Sequence, residues 1–273
     1  MEKIRRNERM SVMMKILTDA PNRIFTLSHF CDLFGAAKST MSEDIDLLQQ
    51  VVRQFGLGEL ETVTGAAGGV RYRPIPSKAQ ARAFIQEVCD TLSGTDRVLP
   101  GGFLYNADIL SEPETVRRMG EILAGEYYDA QTDFVVTMET KGIPVAMTTA
   151  NALGIPLVIA RRSAKVYEGS AVNINYVTAS SGHIETMSLS RRAVKDGQRC
   201  LIVDDFLKGG GTARGMVELM REFSVEVVGM AFVMATAAPE SKLIHGEKSL
   251  MIMELTSESP ASAMLRPADW LRD

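Results

Sequence analysis

The stretch of this chain with the most chemical content is Arg199-Cys-Leu-Ile-Val-Asp-Asp-Phe-Leu-Lys-Gly-Gly-Gly-Thr-Ala-Arg-Gly215. Its apolar start predicts a buried strand over Arg199 to Val203, with the carboxylates of Asp204 and Asp205 projecting at its end. Gly209, Gly210 and Gly211 then lead into a helix carrying Met216, Leu219 and Met220. A glycine-rich turn lets successive backbone N–H groups converge on an anion beside a helix N-terminus, so the segment predicts a phosphate site flanked by two acids. It lacks the Gly-Lys-Ser/Thr ending of one common nucleotide loop and the GxGxxG spacing of a dinucleotide site, which excludes both.

Such a loop needs a rigid sheet behind it. Beyond Arg97, apolar runs over Asp133–Met138, Pro156–Ala160, Arg199–Val203, Val225–Met234 and Ser249–Leu255 alternate with helical stretches. Near-continuous apolar strands separated by helices predict an α/β domain with a mostly parallel sheet covered on both faces and a ligand site at the carboxyl ends of its strands. Met138-Glu-Thr-Lys-Gly-Ile-Pro144 is a second loop at such an end.

The first 76 residues read differently. Met10, Met13, Met14 and Leu17 fall on one helical face, and Pro21-Asn22 breaks that helix. Thr26 caps a second helix carrying Leu27, Phe30, Leu33 and Phe34, which stops at Gly35. A third, capped by Ser39 or Thr40, turns Met41, Ile45, Leu48 and Val52 inward. Leu60–Thr64 and Val70–Arg73 are β-like runs joined by the glycine-rich Gly65–Gly69. Three helices and a hairpin resemble a winged helix, which implies DNA contacts from Lys38, Ser39, Thr40 and Ser42 on the third helix and phosphate contacts from Arg5, Arg6, Arg71 and Arg73. Glu43, Asp44 and Asp46 must then face away from phosphate. A winged helix can also serve protein contacts. Pro74-Ile-Pro76 closes the hairpin stiffly and Ser77 caps a new helix through Ala83, Phe84 and Val88, so the boundary is set there, giving domains 1–76 and 77–273.

Composition narrows the rest. The net charge of -4 hides ten Lys/Arg against nine Asp/Glu up to Pro76 and twenty against twenty-five beyond it, so any DNA surface is local, with Lys3, Arg5, Arg6 and Arg9 at its edge. Cys31, Cys89 and Cys200 are scattered and read as reduced, and His29, His183 and His245 form no metal cluster, so no structural metal is expected. No apolar run is long enough to span a membrane and no secretory leader follows the charged N-terminus, which places the chain in the cytoplasm.

Val203-Asp-Asp-Phe-Leu-Lys-Gly-Gly-Gly-Thr212 resembles the motif by which type I phosphoribosyltransferases bind phosphoribosyl pyrophosphate (PRPP). The resemblance implies that Asp204 and Asp205 hold the ribose hydroxyls with Phe206 beside them, while Lys208, Gly209, Gly210, Gly211, Thr212 and Ala213 surround the 5′-phosphate. It also implies that Thr140, Lys141 and Gly142 take the pyrophosphate, with Arg161, Arg162 and Lys165 adding charge. Lys165 to Ser190 looks like the long arm and returning strands of that fold.

A winged helix followed by this fold resembles, along essentially the whole chain, the purine operon repressors of Gram-positive bacteria. Gly101-Gly-Phe-Leu-Tyr105, with Tyr105 as a further ligand contact, Glu139–Pro144 and Ser180-Ser-Gly182 look like the same family. In the enzymes the phosphate loop commonly reads Thr-Thr-Gly-Gly-Thr, whereas Lys208-Gly209 stands here in place of the two threonines. What the resemblance implies is a homodimeric repressor of purine biosynthesis genes on an inverted repeat, without catalytic residues. It would be released from operator DNA by PRPP carrying Mg²⁺, with guanosine tetraphosphate or pentaphosphate as competitors. The alternatives are an active purine phosphoribosyltransferase with an accessory domain and a protein-binding scaffold.

Overall fold

The computed structural model of the chain describes residues 4–65, 68–100, 103–163, 169–178, 182–256 and 262–272. Lys3, the wing-tip residues Ala66 and Ala67, Gly101, Gly102, Lys165, Ser180 and Ser181, all read above, lie outside the described residues. The chain divides into two compact units, Met1–Ser77 with Asn151–Gly154, and Lys78–Ala150 with Ile155–Asp273. None of the described helices is long and apolar enough to cross a membrane.

The first unit is the expected winged helix. Helices α1 (Arg6–Asp19), α2 (Leu27–Phe34) and α3 (Lys38–Gln54) precede an antiparallel hairpin of β1 (Glu59–Val63) and β2 (Gly69–Arg73). Thr26 caps α2 by accepting the His29 N–H at 3.2 Å, and Gly35 ends it in the left-handed region at φ 60°. The expected cap of α3 is corrected: the helix starts at Lys38 behind Ala37, which has no capping side chain, so Ser39 and Thr40 belong to the first turn. The core is Met13, Leu17, Phe30, Met41, Ile45 and Leu48, the stripes the periodicity picks out, with Val70 closing it from the hairpin. Val70 reaches Phe25 through paired backbone hydrogen bonds of 2.8 and 2.9 Å. A β-carbon at Gly69 would lie 2.1 Å from the Phe25 carbonyl oxygen, so that approach requires glycine.

An ion pair buried between α1 and α3 has no counterpart in the apolar pattern. Arg9 lies inward, its Nη2 2.7 Å and its Nε 2.8 Å from Asp44 Oδ2, and Asp44 is fully buried. Arg6 Nε meets the other Asp44 oxygen at 2.9 Å.

The second unit opens with α4 (Lys78–Leu92), the short hairpin β3 (Val98–Leu99) and β4 (Phe103–Leu104), and helices α5 (Ala107–Ser111) and α6 (Pro113–Gly125). The segments that follow are β5 (Phe134–Met138), α7 (Ile143–Leu153), β6 (Leu157–Ala160), the antiparallel pair β7 (Ala171–Val177) and β8 (Ile184–Ser190), β9 (Arg199–Leu207), α8 (Gly211–Glu222), β10 (Glu226–Thr236), β11 (Lys248–Leu255) and β12 (Ala263–Pro267). The main sheet has the order β12-β11-β10-β9-β5-β6, parallel except for β12 at its edge. All five predicted strands are present. From β5 the chain crosses to β6 on one side, and from β9 it builds outward on the other, so the strand order reverses between β5 and β9, where an open α/β sheet parts to admit a ligand. Phe134, Val136, Ile202, Met216, Leu219 and Met220 pack α8 against that centre.

Removing one partner of a buried ion pair leaves the other charge stranded. Asp44→Ala is therefore expected to destabilise the first unit by about 3 kcal/mol, measured as lost amide hydrogen-exchange protection in α1 and α3. Unchanged protection would mean that the Arg9–Asp44 pair does not hold the helices together.

Candidate functional site

The cleft lies where β5 and β9 diverge. Their pairing runs only to Val136 opposite Ile202, while β9 continues beside β10 to Ala235 opposite Leu207. This corrects the expected end of the strand at Val203: Asp204 and Asp205 lie within β9, past the point where β5 stops pairing. Asp204 is buried and accepts the Asp205 backbone N–H at 2.9 Å. Burial, reinforced by the charge of Asp205, holds the Asp204 carboxyl well above the usual carboxylate range. Asp205 is raised too, again by burial, against the lowering influence of Asp204 and Lys141.

After β9 the chain turns through Gly209 and Gly210 into α8. Gly210 sits at φ 82°, a left-handed conformation that glycine adopts without penalty, and α8 follows with no side-chain cap. The loop is braced from behind, because Leu243 N–H donates to the Gly209 carbonyl at 3.0 Å and Ile244 packs on Gly210. Opposite it, the loop after β5 presses against the acid pair. A β-carbon at Gly142 would lie 2.1 Å from Asp204 Oδ1 and 2.6 Å from Thr137 Oγ1, so only glycine fits. The Glu139–Thr140 peptide in this loop is cis.

These elements enclose a cavity of about 440 Å³. Of the residues expected to bind ligand, Asp204, Asp205, Phe206, Lys208, Gly209, Gly210, Gly211, Thr212, Ala213, Thr140 and Lys141 line it. Gly142 supports its wall. One is corrected. Tyr105 is exposed and lies against Arg97 outside the cavity, while its neighbour Asn106 is the buried residue that faces in, 3.5 Å from Lys141 Nζ. Arg162 lines the cavity, and Arg161, bridged through its backbone to Ser188, is not a lining residue but has its Nη1 3.5 Å from Oε2 of Glu139, which is. Reading along the sequence also misses Glu139, Tyr176, Thr178 and Glu185 as wall residues. The predicted strand ends could have flagged Glu139, which immediately follows Met138.

On the first unit, Lys38, Ser39 and Ser42 are exposed on the first turns of α3 and Thr40 is half-buried. Of the acids that follow, Asp44 points into the core and Glu43 pairs with Arg6 at 2.8 Å, while Asp46 is exposed. Arg5 is exposed and Arg6 half-exposed. Of the hairpin arginines Arg73 is corrected, being buried and donating to Asn22 Oδ1 at 3.1 Å, while Arg71 is partly exposed and paired with Glu61 at 2.8 Å. Arg9, placed at the edge of the surface by sequence, is likewise buried.

Residues 5–74 match the family described as bacterial purine repressor, N-terminal, and residues 106–259 match the phosphoribosyl transferase domain. A purine biosynthesis transcriptional repressor of Bacillus subtilis (strain 168) is 38% identical over 99% of this chain and 95% of its own. A purine biosynthesis transcriptional activator of Lactococcus lactis subsp. lactis (strain IL1403) is 40% identical over 91% of this chain and 92% of its own. Among solved structures, an adenine phosphoribosyltransferase from Thermoanaerobacter pseudethanolicus superposes with a TM-score of 0.53 at 22% identity, covering 62% of this chain and 98% of that one, which shows a shared fold.

Because folding raises the proton affinity of the Asp204–Asp205 pair, the pair's stabilising contribution is full below the ordinary aspartate range and is lost as pH rises through the raised folded values. Asp204→Asn is therefore expected to raise the melting temperature at pH 7.5 and to flatten its dependence on pH. A melting temperature that falls at pH 7.5 would show that the carboxylate is not strained in the free protein.

Proposed function

The chain belongs to the bacterial purine repressor family, and from that membership we propose that it regulates transcription of purine biosynthesis genes, binding operator DNA as a repressor released by PRPP held in the cleft. The single observation that carries the ligand reading is the acid pair beside a glycine loop at the sheet's switch point, the place where this architecture takes ligands. In this reading Asp204 and Asp205 accept hydrogen bonds from the ribose hydroxyls. Backbone amides from Gly209 to Ala213 and the Thr212 hydroxyl surround the 5′-phosphate, and Thr140 and Lys141 face the pyrophosphate. Lys38, Ser39, Thr40, Ser42, Arg5 and Arg6 contact DNA in a homodimer on an inverted repeat.

The donor set suits a ligand that brings its own cation. Among the described residues Glu139, Glu185, Asp204 and Asp205 line the cleft against Lys141, Arg162 and Lys208, so carboxylates outnumber cations there. Mg²⁺ on the pyrophosphate would offset that excess, with Asp204 and Asp205 as the protein's oxygen donors towards it. On the other side Phe103, Leu104, Phe232, Met253 and Leu255 give an apolar wall that PRPP, lacking a base, leaves uncovered. That wall favours guanosine tetraphosphate or pentaphosphate as competitors for the same cleft.

Regulation without glycosyl transfer is favoured over an enzyme because the chain aligns nearly end to end with transcriptional regulators, and because Lys208-Gly209 departs from the enzymes' loop. The intact acid pair keeps transfer as the second reading, tested by base-dependent pyrophosphate release from PRPP. Relatives named repressor and activator share this architecture. A bound regulator blocks or recruits polymerase according to where its operator lies, so the DNA and ligand chemistry can be common to both.

By linkage, a ligand that weakens DNA binding must itself be weakened by DNA to the same factor. Titrating DNA from upstream of the purine genes should therefore show affinity falling by about tenfold at saturating PRPP with Mg²⁺. Asp204→Ala should keep the DNA affinity and lose the response, and Arg5→Ala, a phosphate contact in this reading, should weaken DNA binding uniformly across sequences. An operator affinity indifferent to PRPP would overturn the sensor reading.

A further inference from the structure

Elsewhere in the lining of the same cleft, one carboxylate holds groups an anionic ligand needs. Tyr176 on β7 stands directly across from Glu185 on β8, and its hydroxyl donates to Glu185 Oε2 at 2.8 Å. The Arg162 guanidinium is 3.3 Å from the same oxygen and 3.4 Å from Oε1. The Arg162 backbone N–H donates to Glu139 Oε1 at 2.7 Å, which ties this cluster to the loop after β5. Thr212 of the phosphate loop lines the same cavity as Tyr176 and Glu185. The Tyr176 ring cannot drift, because it lies on Gly215 of α8, where a β-carbon would come within 3.0 Å of it.

Glu185 therefore occupies Arg162 directly and Tyr176 beside it, in a cleft whose described lining has more carboxylates than cations. A carboxylate facing an anion site opposes the ligand's charge unless it gives up its partners when the ligand arrives. We infer that Glu185 sets how tightly the cleft holds its ligand, acting as an internal anion that occupies Arg162 in the free protein and yields it to the ligand's pyrophosphate. The inference rests on the anion-binding reading of the cleft proposed above. Glu185 is a positioning residue in this arrangement; Arg162 is the group that touches ligand. A Glu185 that merely fastened the β7–β8 pair would behave in the opposite way, since its loss would slacken the wall and weaken binding.

The test is calorimetric titration of PRPP with Mg²⁺, and separately of inorganic pyrophosphate with Mg²⁺, into the full chain and its variants. Glu185→Gln, which keeps shape and removes charge, is expected to tighten both ligands by about threefold to tenfold, the scale of a half-exposed ion pair. Arg162→Ala is expected to weaken both, and adding Glu185→Gln to it should bring no further gain, because the competition it relieves is gone. Melting curves recorded beside the titrations check that each variant is folded. If the wild-type chain binds PRPP and Glu185→Gln binds it equally or more weakly, or if its gain persists without Arg162, the inference is wrong while the site stands. If the wild-type chain binds neither ligand, the reading of the cleft falls first and takes the inference with it.

Discussion

Two neighbouring carboxylates inside a strand, with a glycine pressed against one of them, set the geometry of everything around the cleft. Asp204 and Asp205 sit where β9 has lost β5 as a partner but still pairs with β10, so their backbone is rigid while their side chains face an opening. Burial disfavours both charges, and the Asp205 N–H on Asp204 Oδ1 compensates only in part. The contact at Gly142 allows no slack, so the loop after β5 and the acid pair must move together if either moves. Lys141, one residue before that contact, is thereby fixed within range of both Asp205 and Asn106. The free site stores electrostatic strain that a hydrogen-bonding ligand or a cation would relieve, a pattern that points to binding rather than to structural support.

The first unit solves a different charge problem. Its near balance of acids and bases looks unpromising for DNA, yet of the acids of α3 Asp44 is buried against Arg9 and the exposed Glu43 is matched by Arg6, while Asp46 stays exposed. The cost is that several arginines are used internally, Arg9 and Arg73 being buried and Arg71 tied to Glu61. Among the described residues Lys38, Arg5 and part of Arg6 remain exposed near the start of α3, with Lys15, Arg23 and Arg53 exposed elsewhere on the unit.

Much of this was legible in the residues because the signals are local. Glycines, an acid pair and the stripe of α8 fall within one short run, and strands buried on both faces declare themselves as continuous apolar segments. The misreadings share a physical cause, since a shift of one residue along an extended backbone changes the face. Tyr105 stood in for Asn106, and there the neighbour is the one that enters the cleft. The start of α3 was misplaced because Ala37 leaves no capping signature. Arg73 looked like a wing cation because its partners, Asn22 and Glu61, come from other parts of the unit. Strand β12 escaped because an edge strand that alternates buried and exposed residues carries too weak a pattern.

The balance of charge in the cleft bears on how a sensor can be selective without chemistry. An enzyme gains from interactions that strengthen only at the transition state, whereas a sensor's response depends on ground-state affinity and on its difference between two conformations. Backbone amides and a helix N-terminus attract any phosphate, so attraction alone would let inorganic phosphate compete. In the proposed reading, the four acidic side chains among the described lining residues would penalise an anion that arrives bare, and would favour one that presents ribose hydroxyls to Asp204 and Asp205 and carries a divalent cation. Repulsion of the wrong ligand and accommodation of the right one then follow from the same side chains. That is the reason a cleft proposed to take one of the most anionic small metabolites can be lined by more acids than bases.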